Sequence, residues 1–258
     1  MTTVRIVAGM QVLCAVGALL GAVLVAGEPP AAEVSRQPST YAPAKDLESQ
    51  VQFFLARIKD DLKDESAYGD DTLKRVSRDA NTLAVLALVL GKHDEANRYQ
   101  ASAATLLNGS LALAEKSQDY QAARGAYAQL VESLNGPHGA QDLAWKSVGN
   151  IVDLMHQVPS LNTKLRGQVR SAERFSKSPD EAAGLAATLA AIAQVSLFDN
   201  SYCADQADQA SWAELCGLMR DAASDVNQAV RSGDRDSAVE KLKPLTRTCD
   251  DCHEQFKD

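Results

Sequence analysis

The sequence predicts an all-α protein made of two tandem antiparallel four-helix bundles. Three observations carry that expectation. Hydrophobic residues make up 45% of the chain but aromatic residues only 5%, so alanine and leucine supply much of the apolar content. Alanine and leucine lead the helix scale, whereas strands favour β-branched and aromatic residues. Apolar residues recur at helical spacing from Lys45 onward, punctuated by caps and breakers. Finally, the two halves of the chain resemble each other, as set out below.

In chain order, the first segment stands apart. Residues 1–27 carry Arg5 and then an uncharged apolar run from Val12 to Ala26, which reads as a secretory signal peptide. An uncleaved anchor is the alternative, since Val4 to Ala26 is long enough to span a bilayer. Residues 28–44 are rich in Pro, Ala, Ser and Thr without a period, and read as a flexible linker.

Residues 45–138 read as the first bundle. Val51, Phe54, Leu55, Ile58 and Leu62 fall at helical spacing, and Ser66 to Asp70 makes a turn. A second helix is expected from Thr72 to Leu90, with Gly91 as its C-terminal cap. A third is expected from Asp94 to Lys116, and a fourth after Asp119 as N-cap, fading at Asn135-Gly136-Pro137.

Residues 139–258 repeat the plan. A helix is expected from Asp142 to Val158, interrupted by Pro159 and resuming toward Arg170. Ser178-Pro179-Asp180-Glu181 has the form of a capping box with proline at the first helical position. A helix follows from about Ala210 to Arg231, and the last helix contains Pro244, which predicts a bend or a fresh start there. Ala80 to Ala87 aligns with Ala186 to Ala193, and Ser117-Gln118-Asp119 with Ser232-Gly233-Asp234. Order and turns agree as a duplication would require.

The same register sets Leu134-Asn135-Gly136-Pro137-His138 against Cys249-Asp250-Asp251-Cys252-His253. The second of these is C-x-x-C-H, the attachment signature of a c-type haem. Positions i, i+3 and i+4 share a helix face, so Cys249 and Cys252 can form thioethers to one flat cofactor while His253 ligates its iron as proximal ligand. A redox pair or half of a zinc site would use the same cysteines. The redox pair wants a βαβ setting that this chain lacks, and zinc wants a fourth ligand. The first half keeps a terminal histidine but neither thiol, so it is expected to be a degenerate, haem-free copy.

A helical bundle with C-x-x-C-H on its last helix, followed by Phe256 and Lys257, resembles the cytochrome c-prime family. The resemblance covers Asp142 to Asp258 and implies an exported four-helix bundle holding one covalent haem c. It also implies a distal residue on the first helix of that bundle. Matching Asp153-Leu154-Met155 to the family pattern puts Met155 there, either as a distal iron ligand or as core packing. His156 is its weaker neighbour. Family members often carry arginine one turn earlier, where this chain has Ile151.

Cys203 and Cys216 bracket the longer loop of the second half and are equally open to pairing or to a buried free role. His93 is expected to cap or start a helix, and His138 to be a relic or a surface residue. A net charge of −8 argues against nucleic acid as a partner. No catalytic constellation stands out, and no enzyme is expected. The expected function is an exported, periplasmic monohaem electron carrier with a redox partner protein of unknown identity. Membrane contact is expected only if the N-terminal segment is retained, and a homodimer stays open. A five-coordinate gas-binding haem protein and a helical interaction scaffold are the alternatives.

Overall fold

The computed structural model describes residues 36–139 and 141–256. The signal segment, the first part of the linker, Lys257 and Asp258 lie outside the described residues. Among those described, the regular structure is helical throughout: α1 (Ala44–Asp61), α2 (Asp70–Gly91), α3 (Ala103–Lys116), α4 (Tyr120–Leu134), α5 (Ile151–Arg170), a short α6 (Ala172–Lys177), α7 (Pro179–Ser196), α8 (Gln206–Arg231) and α9 (Arg235–Phe256).

Two helices are central. Every residue of α2 from Asp79 to Leu90 is buried, as is every residue of α7 from Ala182 to Ser196. A helix that is buried all round must be covered on several sides. Accordingly α2 packs on α1, α3, α5 and α7, and α7 on α1, α2, α5 and α8. The segments matched by the repeat, 80–87 and 186–193, are these two hydrophobic rods. Helix α9 closes against α8 and α5, and one hydrophobic cluster runs across both halves.

Close approach between halves depends on small residues and paired charges. A Cβ on Gly184 of α7 would collide with the Gln50 amide of α1. Asp46 on α1 is buried and holds Arg231 of α8, while Asn227 donates to it at 2.7 Å. Asp153 on α5 accepts from Ser77 Oγ at 2.6 Å and Asn81 Nδ2 at 2.8 Å on α2. Removing one member of such a buried pair is far costlier than the pair's net worth, because it strands a charge.

Several expectations need correction. The end of the linker is not free chain: Tyr41 and Ala42 are buried, Arg36 pairs with Asp221 at 2.6 Å, and Ser39 N donates to Asp94 at 2.9 Å. The Tyr41 ring lies 5.6 Å from the buried Arg220 guanidinium, so this segment covers the seam near α8. The third helix starts at Ala103 rather than Asp94, because residues 94–102 satisfy their backbone through turns and side chains: Asn97 takes the Tyr99 N–H and donates to the Leu90 carbonyl. Gly91 belongs to α2 and is not its cap. Its lack of a side chain makes room for Leu143 and Ala103.

In the second half, residues 142–149 are not helical; Gly149 turns with φ +81° and Asn150 caps α5 by accepting from Val152 N and Asp153 N. Both α5 and α9 run unbroken through their prolines. Pro159 and Pro244 are exposed, where the carbonyl left without a donor can take water instead. Ser178 precedes α7 as expected but makes no side-chain cap, and Glu181 bonds Gln168 at 2.6 Å instead.

Candidate functional site

The C-terminal motif lies on the last two turns of α9, and its three functional side chains line one cleft. The inner part of that cleft is a cavity of about 50 Å³. Cys249, Cys252 and His253 form one wall, and Met155 and Val158 of α5 another; Trp212, Cys216 and Met219 of α8 and Ala193 of α7 complete it. An outer part of about 360 Å³ opens beside it and shares Met155, Pro159, Trp212, Cys252 and His253. That volume is within the range of small-molecule and cofactor sites.

The structure therefore brings together all four residues singled out from the sequence. Cys249 and Cys252 are half-buried free thiols, His253 is exposed, and Met155 is half-buried. His156 reaches only the outer part, as its position a hundred degrees round the helix suggests. The cleft is anchored by Trp212, whose indole N–H donates to the Ser196 carbonyl at 2.7 Å, and whose ring meets Phe256 edge-on at 5.2 Å.

Burial dominates the acid–base character of the thiols. It pushes Cys252 up to about 11, with Cys249 adding to the rise, and it raises Cys249 with help from Asp250. Cys216 is also raised well above the ordinary thiol value, by burial first and then by its neighbours Cys252 and Cys203. All four described cysteines are free, so Cys203 and Cys216 are not bridged here. They share a small apolar cluster with Trp212, Cys252 and Phe256.

Trp212, Cys216 and Met219 were not singled out as site residues from the sequence. Their spacing of four and then three places them on one face of α8, which was the available signal. His93 does not start a helix. It is buried, with Nε2 2.9 Å from the Ala42 carbonyl, and Nδ1 accepts from Glu95 N at 3.0 Å. His138 is half-buried near Thr105, its Nε2 3.0 Å from the Leu134 carbonyl.

As donors, the cleft offers the Cys249 and Cys252 thiols and the His253 imidazole from α9, the Met155 thioether from α5 with the His156 imidazole in the outer part, and the Cys216 thiol and Met219 thioether from α8. The rest of the inner lining is mainly apolar, with Ser196 and Thr248 among it. No protein-family model matches the chain, and neither a curated protein nor a solved structure matches it significantly.

Proposed function

We propose that the protein is a monohaem c-type cytochrome that carries electrons outside the cytoplasm, in a four-helix bundle of cytochrome c-prime type. Cys249 and Cys252 would hold the haem as thioethers, His253 would be the proximal iron ligand and Met155 the distal one. The observation that supports this most is the convergence of these four side chains on one apolar cleft, with both motif thiols unbridged. The donor set fits the group: neutral thiols for addition to vinyl groups, a nitrogen and a thioether for iron.

When bound, the haem supplies a one-electron iron couple, and a His/Met ligand pair favours a raised potential suited to electron transfer. The chain supplies the setting. Trp212, Met219 and Val158 exclude water, the Trp212–Ser196 hydrogen bond fixes the roof, and α5 presents Met155 to the cleft. Export rests on the N-terminal segment, which lies outside the described residues.

A second reading, a gas-binding haem protein, rests on Met155: it is half-buried on a different wall of the cleft from His253, and if its thioether stands aside the iron's remaining position would be open to a diatomic gas. Absorption spectra of the haem-loaded, reduced protein separate the two. Ligation by Met155 predicts a low-spin form, slow to bind carbon monoxide, that Met155→Ala converts to a high-spin, gas-accessible form. A high-spin wild-type protein unchanged by Met155→Ala would overturn the carrier reading and leave the gas binder.

A further inference from the structure

A cationic groove runs between α5 and α9, on the flank of α9 next to the one that carries the thiols. Arg166 and Arg170 line it one turn apart on α5, and Lys243 and Arg247 one turn apart on α9. The space they enclose is about 310 Å³, over an apolar floor that includes Leu242. Only Asp250 contributes a carboxylate to the lining.

Two features set this groove apart from an ordinary solvated face. The chain as a whole is acidic, at −8, yet four cations face one another here. Elsewhere the arginines tend to hold carboxylates: Arg36 holds Asp221, Arg57 Asp79, Arg75 Asp61 and Arg231 Asp46. In the groove, the guanidinium groups of Arg166, Arg170 and Arg247 have no ion pair among the described residues; only Lys243 is held, by Glu240 at 2.7 Å. Crowding unpaired like charges costs Coulomb energy that a bound anionic partner would recover. Arginine is also the cation that grips carboxylates with two parallel hydrogen bonds.

We propose that this groove is the docking surface for an acidic redox protein, whose projecting Asp and Glu side chains enter between α5 and α9. The proposal rests on the haem reading above. Its functional content is position: the groove residues Thr246, Arg247 and Asp250 interleave with Thr248 and Cys249 of the cleft, so a partner seated there is separated from the cofactor by α9 alone. One electron would pass from the reduced partner to ferric haem. The partner would be oxidised and the bound haem would supply the acceptor for that one electron, with no bond formed or broken.

The test uses the full-length, haem-loaded protein and a reduced acidic ferredoxin as probe, comparing wild type with Arg166→Gln/Arg170→Gln/Arg247→Gln. Steered association predicts that wild-type reduction slows by about tenfold or more between low and physiological ionic strength. The triple variant should be about tenfold slower than wild type at low salt and should converge with it at high salt. Equal rates at low salt, in a variant with wild-type helicity, would overturn the proposal. So would binding of the groove to anionic phospholipid vesicles with no response to the ferredoxin. Docking is read separately by NMR line broadening of the ferredoxin, which needs no haem. Loss of docking in the variant supports the groove even if the protein carries no haem, an outcome that would instead sink the proposed function.

Discussion

Trp212 on α8 donates its indole N–H to the carbonyl of Ser196 at the end of α7, 2.7 Å away, and thereby fixes the roof of the cleft. Both partners are buried. Trp212→Phe keeps an aromatic ring but removes the indole donor, leaving the Ser196 carbonyl only the Asp199 N–H at 3.0 Å, and is expected to cost about 1 kcal/mol. Trp212→Ala also opens the cavity and should cost roughly 3–5 kcal/mol. Urea denaturation of both variants checks the ranking; an unchanged Trp212→Phe would mean that the hydrogen bond contributes nothing, and equal losses that the ring's packing adds nothing to it.

Arg57 and Asp79 give a pH-dependent test. The Asp79 side chain is fully buried; Arg57 Nε meets it at 2.6 Å and Gln157 Nε2 donates to it at 3.2 Å. Burial, the larger influence, raises the Asp79 carboxyl above its ordinary value, and Arg57 works against the rise. Arg57→Met keeps an apolar stem over Phe53 and Phe54 but removes the charge, so the carboxyl rises further. A group whose folded pKa is raised contributes stability below its unfolded value and loses it as pH rises through the folded value. The variant is therefore expected to lose about 3 kcal/mol near neutral pH and less near pH 4. A loss that grows toward acid would contradict the assignment.

The thiols make a further prediction for protein produced without haem. Thiolate is the reactive form, so a raised pKa slows alkylation. Cys252, pushed up to about 11, should label slowly with iodoacetamide at neutral pH and faster as pH rises, and buried Cys216 should label last. Peptide mapping of the labelled protein gives the order. Rapid labelling of Cys216 in folded protein would show that the cleft is open in solution.

Legibility differed with the physical cause behind each feature. The helical class and the two central rods were plain, because full burial demands continuous apolar sequence, as in Ala186 to Ala193. The motif residues were plain because spacing at i, i+3 and i+4 puts two thiols and an imidazole on one face of a helix. The stretch 142–149 misled because Trp145 and Val148 continue the helical spacing of Ile151, Met155 and Val158 while serving other ends. Trp145 stacks on Phe198 at 5.9 Å, and Ser147 Oγ donates to Asp199 at 2.8 Å. Gly149-Asn150 was the true start signal, a positive-φ glycine followed by a capping asparagine. The contacts joining the halves, such as Asp46 with Arg231, were illegible, since sequence alone does not say which of many carboxylates meets which cation.

The central claim is covalent haem on α9, and intact mass measures it most directly. The protein exported from a host with c-type haem-attachment machinery should exceed the mass of its polypeptide, with or without residues 1–27, by one haem, and Cys252→Ala should lose the doubly attached form. A wild-type protein of unmodified mass from that host, with Cys249 and Cys252 both free to alkylate after unfolding, would contradict the account.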